Sequence, residues 1–339
     1  MEFLPGFLFD SWLGHTVWVW LLFAVIVVAL LAFDLGVLHR KPHEISARES
    51  LLLSAGYIAV ALVYGGFVWF RLGSEAGVTW YTGYLLEKTL ALDNIFVISL
   101  IFTTLAIPPK LQHRVLFYGI LGVVLLRGVM IGLGAALVSQ FEWVLLAFGA
   151  LLIVTGIRMV TSMDDGPGIA GGRIRQILGR WLPMTEKTHG TAFFVREPTE
   201  EGGKPVLLAT PLMVALILIE IADIVFAVDS VPAIFGITTD PYIVYTSNIF
   251  AVLGLRALYF ALAASVQRFR YLKYALAAVL IFIGAKIFWG HFVGKVDPLV
   301  ALGTTAAMLA AGILFSMWKT RRDEASTPDE ARAAPDRAG

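Results

Sequence analysis

Residues 220–232 read Glu220-Ile-Ala-Asp223-Ile-Val-Phe-Ala-Val-Asp229-Ser230-Val-Pro232. Apart from its carboxylates and one serine the run is apolar, and it lies inside a longer apolar block, 206–235, long enough to cross a hydrocarbon core. One ionised carboxylate at the bilayer centre costs about 2.5–3.5 kcal/mol on insertion scales. A span that keeps three of them has a use for them. A second block, 82–105, contains Glu87-Lys-Thr-Leu-Ala-Leu-Asp93-Asn94, which aligns with Asp223 to Ser230: an acid, an Asp six positions on, then a small polar residue. Downstream, Leu125-Leu126-Arg127 aligns with Gly254-Leu255-Arg256, and Gly156-Ile157-Arg158 with Gly284-Ala285-Lys286. Each unit holds three spans, so the two copies must lie in the membrane with opposite polarity. Inverted repeats of this type place a substrate site near the midplane where the copies meet.

The composition agrees with a membrane location. Of 339 residues, 58% are hydrophobic and only 15% charged, with a mean hydropathy of +0.79; soluble domains carry about 25% charged residues. Nine apolar spans are expected, at about 17–38, 51–70, 82–105, 115–137, 142–161, 206–235, 243–264, 274–290 and 298–318. Helices are the default, because backbone polar groups in lipid must be satisfied within their own segment. The predicted fold is therefore an all-α membrane protein of about nine transmembrane helices with a three-plus-three inverted repeat. Lys and Arg crowd into alternate connections (Arg40, Lys41, Arg173, Arg180, Arg268 and the tail beyond Lys319 among them), whereas the opposite set holds only Arg71 and Lys295. The positive-inside rule then puts the N-terminus outside and the C-terminus in the cytoplasm of a bacterial inner membrane, as an odd number of spans requires.

The chain divides into spans one to five (1–161), a cytoplasmic loop (162–205), spans six to nine (206–318) and a charged, Ala- and Pro-rich tail (319–339) expected to be disordered. In the loop, Thr191–Arg196 and Val206–Thr210 flank a Pro-Thr-Glu-Glu-Gly-Gly turn and suggest a small hairpin. The N-terminus lacks the basic region of a cleavable signal, so the first span reads as a retained anchor. Trp18, Trp20, Trp69, Trp80 and Trp143 lie near span ends and read as interface anchors.

The chain contains no Cys, which excludes disulfides, thiolate nucleophiles and thiolate metal sites. It shows no zinc motif, nucleophile elbow or nucleotide-binding motif, so neither a membrane hydrolase nor an ATP-driven pump is indicated. The intramembrane charges point elsewhere. Five acids (Glu87, Asp93, Glu220, Asp223, Asp229) face three bases (Lys88, Arg127, Arg256), an excess of two negative charges that one divalent cation would balance. Pure structural ion pairing is the alternative. The buried groups offer oxygen alone, from the carboxylates, Asn94, Ser230 and backbone carbonyls, which suits Mg, Ca or Mn better than Zn, Cu or Ni.

Residues six apart on a straight helix diverge by about 120°, so Glu87 and Asp93 cannot grip one ion unless the helix breaks or each acid pairs across the repeat. Pro232 could break the sixth span and free a carbonyl near Asp229. Asp93 and Asp229 are expected to face each other across the pseudo-twofold axis. Crowded carboxylates also exchange protons for metal, which makes proton-coupled antiport a natural hypothesis. Asp34, near one end of the first span, reads equally as an ion-capture site or an interfacial acid. Asn248 reads as a pathway residue or as the cap of the seventh helix.

At these residues the sequence resembles the TerC/Alx family of bacterial membrane proteins. The resemblance is carried by Glu87 to Val97, by Glu220 to Phe235 and by Tyr245-Thr-Ser-Asn248-Ile-Phe-Ala-Val-Leu-Gly-Leu-Arg256, and it covers roughly residues 20–320. It implies manganese efflux, the five buried acids as functional residues, and a distant relation to LysE-type exporters. The family's tellurium-resistance label names a phenotype and not a mechanism. Ala91 stands where many relatives have Ser, which leaves the acids intact. The resulting expectation is a secondary transporter and not an enzyme, with Mn2+ as the transported ion and no permanently bound cofactor. Its partners would be that cation and the lipid bilayer, with no nucleic acid, and a homo-oligomer or membrane partner is left open. The competing readings are a membrane scaffold acting through its cytoplasmic loop, and delivery of metal to exported enzymes.

Overall fold

A computed structural model describes residues 10–36, 47–161, 183–185, 189–197, 205–262, 271–294 and 296–326, with 35–36, 47, Asp93, Glu142 and 321–326 described in their backbone alone. A two-residue hairpin, β1 (Ser11–Trp12) and β2 (His15–Thr16), leads into α1 (Val17–Gly36). Then follow α2 (Ala47–Leu72), α3 (Ser74–Thr104), α4 (Pro109–Gln140) and α5 (Glu142–Thr161). Strands β3 (Phe194–Glu197) and β4 (Val206–Ala209) pair antiparallel, with Phe194 opposite Ala209, so the hairpin expected in the loop is present. The second half comprises α6 (Pro211–Phe235), α7 (Pro241–Val252), α8 (Leu255–Leu262), α9 (Leu272–Phe292) and α10 (Pro298–Ser326).

Local chemistry sets these boundaries. Proline opens α4, α6 and α7, where the missing N–H would have had no intrahelical partner anyway. Asp240 caps α7 by accepting from the amides of Tyr242 (2.9 Å) and Ile243. Residues 206–209 belong to a strand, so the sixth span begins at Pro211 and not at 206. The last helix runs on through Lys319 to Ser326, beyond the point where the charged tail was expected to lose structure, because Lys-Thr-Arg-Arg-Asp-Glu-Ala is a good helix sequence. Residues 327–339, and most of the expected loop 162–205, lie outside the described residues.

Among the described residues, eight stretches are long and apolar enough to cross a membrane, with α7 and α8 counted as one. The third expected span is also a single helix, α3, Ser74–Thr104, and it carries Glu75, Glu87, Lys88 and Asp93. It is also the helix at the centre of the bundle, packed against α2, α6, α7 and α10. Outward faces elsewhere are apolar and open: Val25 and Val63 are 64% and 75% exposed, as lipid contact allows.

The internal repeat is visible in the packing. Helix α3 packs on α7 as its counterpart α6 packs on α4, while α5 and α9, which also correspond, pack on each other. A twofold exchange of the halves maps each of these pairs onto another or onto itself. Between the halves, Ile95, Ile98 and Phe102 of α3 join Ala215 and Ile219 of α6 in one apolar core. A second, aromatic core brings Phe23 of α1 and Tyr64 of α2 onto Trp80 of α3 and Phe250 of α7. Trp80 is fully buried and donates to the Thr246 hydroxyl at 2.9 Å, so it is a core residue and not the interface anchor its position suggested.

Two backbone expectations change. Helix α6 continues through Pro232 to Phe235, since an inner proline forfeits one hydrogen bond without ending the helix. The interruption falls instead in the seventh span, at Leu253 and Gly254, between α7 and α8. Gly254 adopts φ +82°, and a Cβ there would run into Tyr57, so both conformation and space require glycine.

Candidate functional site

Arg127 of α4 is 1% exposed and its guanidinium gathers three other helices. Nη2 donates to Oδ1 of Asp223 on α6 at 2.8 Å, and Nε donates to the same carboxylate at 3.2 and 3.3 Å. Nη1 donates to Oε1 of Glu87 on α3, to Oδ1 of Asn248 on α7 at 3.2 Å, and to the Ser230 hydroxyl at 3.5 Å. The planar fork of arginine suits this better than the point charge of lysine, because five N–H groups leave it in fixed directions. Removing one partner of such a buried arrangement typically costs about 3–5 kcal/mol.

Helical periodicity selects which acids arrive. Asp223 and Ser230 are seven residues apart, within about 20° on one face of α6, and both meet Arg127. Asp229 is six from Asp223 and points away: its Oδ1 accepts from the Thr155 hydroxyl of α5 at 2.9 Å. Glu87 and Asn94 are likewise seven apart on α3, and both are buried. The Asp93 side chain lies outside the described residues, so the expected meeting of Asp93 and Asp229 is placed on one side only, at α5. Lys88 turns from Glu87 and donates to the Ala251 carbonyl at 3.1 Å, at the end of α7 where helix carbonyls lack partners.

Glu220 lies one turn before Asp223, with its carboxylate against Gly122 of α4, where a Cβ would collide with it. Among the described residues no basic side chain pairs with Glu220. Taken as ionised, Glu87, Asp223 and Glu220 against Arg127 leave three minus one, or two, negative charges at this centre. Three oxygens here or on the same α3 face are buried without a hydrogen-bond partner: Oε2 of Glu87, Oε2 of Glu220 and Oδ1 of Asn94. A buried acceptor left unpaired costs about 1–3 kcal/mol. Among the described residues no three acidic or histidine side chains converge closely enough to hold a metal as arranged, since Arg127 stands between Glu87 and Asp223.

The second arginine of the repeat sits elsewhere. Arg256 opens α8, just past the interruption, and pairs with Asp34 of α1, both nearly fully buried. The Tyr57 hydroxyl of α2 bonds the same carboxylate, and a cleft opens among Asp34, Tyr57, Arg256 and Leu253. Asp34 is thus buried in the protein and not solvent-facing. Asn248 is no cap either: it lies inside α7, fully buried on Arg127, and Asp240 does the capping. Neither Gly122 nor Thr155 was singled out by sequence, because a glycine or threonine in an apolar span carries no signal until its neighbour is known.

Comparison with known proteins places the chain. The profile of the integral membrane protein TerC family matches residues 72–324. An uncharacterized membrane protein of Myxococcus xanthus is 46% identical over 310 residues, covering 91% of this chain and 95% of that one. A protein of Photorhabdus laumondii named "Putative membrane-bound redox modulator Alx" is 42% identical over 308 residues, 88% of this chain and 94% of its own. The Escherichia coli protein of the same name is 40% identical over 311 residues, 89% and 95% of the two chains. No solved structure matches. With its helical bundle of apolar spans and a profile match over most of its length, the chain is a multi-pass membrane protein and belongs to the integral membrane protein TerC family.

Proposed function

We propose that this protein is a secondary transporter that exports a hard divalent cation, Mn2+ first among them, from the cytoplasm. The observation that carries the reading is the buried, oxygen-only centre between the repeats: Glu87, Asp223 and Glu220 with partnerless oxygens on Glu87, Glu220 and Asn94. Carboxylate and amide oxygens suit Mn2+, Mg2+ or Ca2+, and the two excess negative charges match one such ion. The manganese efflux that the motif resemblance implies favours Mn2+ among the three. Asp93 and Asp229 are further ligand candidates, reached as the carrier changes conformation. Arg256 and Asp34 hold α1 against the interrupted span and support the path, while Asn248 and Ser230 line it.

The lysine and arginine distribution supports an N-terminus outside and a C-terminus in the cytoplasm of the inner membrane. Glu220, without a basic partner among the described residues, is the acid suited to carry a proton in exchange. A role in redox balance, the wording attached to the Alx relatives, is met here by moving a redox-active ion and not by thiol exchange, since the chain has no Cys.

The test is Mn2+ flux in proteoliposomes, with Mg2+ and Ca2+ as competitors and an internal pH dye. Wild type should carry Mn2+ down an imposed gradient with an opposing pH change, and Glu87→Gln and Asp223→Asn should abolish it. Absence of flux in wild type, or flux unchanged in both variants, would reject transport and favour a scaffold. Flux at constant internal pH would reject proton exchange alone.

A further inference from the structure

We infer that Arg127 is a tethered cation that refills the ion site once the cargo has left, so that the empty carrier can return. The inference rests on the transport reading above and goes beyond it by assigning the return step.

A carrier that delivers a divalent ion and comes back empty faces a charge problem. Loaded, its carboxylates are neutralised by the ion; without it, a proton on Glu220 covers one of them, and Glu87 and Asp223 would still have to move through a low-dielectric region unpaired. In this structure one guanidinium binds both Glu87 and Asp223, bridging the two acids and offsetting one of their charges without an ion. It reaches them from α4 while also contacting α6 at Ser230 and α7 at Asn248, so it closes the two halves of the repeat on each other. Arg127 is itself 1% exposed and Glu87 1%, which is the burial expected of a closed, ion-free state.

The same contacts make Arg127 and a divalent cation alternatives. A metal taking oxygens of both Glu87 and Asp223 needs the side that Nη1 and Nη2 now occupy, and two like charges cannot share it. Binding of cargo therefore requires the guanidinium to release at least one carboxylate, and departure of cargo lets it return. Unfilled oxygens are already present for the first step: Oε2 of Glu87 and Oε2 of Glu220 have no partner, and Gly122 leaves room for the Glu220 carboxylate beside α4. A cation entering at Glu220 and Glu87 would compete for Asp223 from there.

Repeat symmetry adds an independent point. Arg256, the equivalent residue, is engaged by Asp34 of α1, a helix outside the repeat. Only one of the two arginines is therefore placed to alternate with cargo at Glu87 and Asp223, and the pair is not a symmetric scaffold feature.

The experiment compares two fluxes in proteoliposomes of wild type, Arg127→Gln and Arg127→Lys, each first shown to melt as a monodisperse protein in detergent. Net Mn2+ release into Mn2+-free buffer requires the empty carrier to return. Exchange of labelled for unlabelled Mn2+ does not. Hydrogen bonds to charged groups carry enough free energy for a factor of about ten, so net flux in Arg127→Gln should fall about tenfold while exchange stays within about twofold of wild type. Arg127→Lys keeps the charge but cannot bridge both acids, and should show the same split to a lesser degree. It keeps the test decisive should Arg127→Gln not fold. Parallel loss of both fluxes, or retention of both, would overturn the inference and leave Arg127 a structural residue. Wild type showing neither flux would instead overturn the transport reading itself.

Discussion

Arg127 and Arg256 occupy equivalent places in an internal repeat and have opposite surroundings. Arg127 lies where the two halves meet and binds acids from each, Glu87 from the first and Asp223 from the second. Arg256 turns outward from that meeting point and binds Asp34 of α1. The difference follows from the backbone just before each residue. The span carrying Arg127 is one unbroken helix, α4, whereas the span carrying Arg256 is interrupted at Leu253 and Gly254. Duplication supplies two copies of a landmark; a single glycine at φ +82° re-aims one of them. The two equivalent arginines thus hold different partners, one joining acids of both halves and one anchoring the peripheral helix α1.

Five substitutions break or sharpen that contrast. Arg127→Met leaves Glu87 and Asp223 buried without a counter-charge, and should lower stability by about 3–5 kcal/mol, read as a thermal shift in detergent, with net Mn2+ flux reduced and Mn2+ exchange retained. Arg256→Met strands Asp34, but the Tyr57 hydroxyl still serves that carboxylate. The loss should sit near the lower end, about 3 kcal/mol, with Mn2+ affinity unchanged by titration calorimetry. Gly254→Ala forces an unfavourable φ and a contact with Tyr57; about 1–3 kcal/mol is expected, together with weaker protection of α8 amides in hydrogen exchange. Gly122→Ala meets only the end of a flexible side chain, so stability should change by about 1 kcal/mol or less. Its displaced Glu220 should nonetheless depress Mn2+ flux, which separates site from scaffold. His15→Ala removes the 2.8 Å contact from His15 to Asp240, near the other end of α1. That partly exposed pair should matter by under about 1 kcal/mol.

Much of this was legible in the residues. Apolar block lengths gave the helices, and the repeated acid-to-Asp spacing gave the two halves. The cost of buried charge singled out Glu87, Asp223 and Arg127. What the sequence hid was direction. Trp80 near a span end looks like an interface residue until α2 and α7 close over it. Pro232 looks like a break, yet α6 absorbs it, while Gly254, an ordinary glycine in an apolar run, makes the break that matters. Asp229 belongs to the motif by spacing and to α5 by geometry, because a six-residue step turns a helical side chain about 120° away from Asp223 and toward Thr155. The role of Gly122 is readable only once Glu220 is seen against it.

The central claim is that the Arg127 centre, and not the Arg256 centre, is where the cation passes. Mn2+ flux in proteoliposomes of wild type, Asp223→Asn and Asp34→Asn, each at matched folded protein, tests it most directly. The account predicts flux in wild type, none in Asp223→Asn, and flux retained in Asp34→Asn. Flux persisting in Asp223→Asn, or lost in Asp34→Asn while Asp223→Asn still transports, would contradict it.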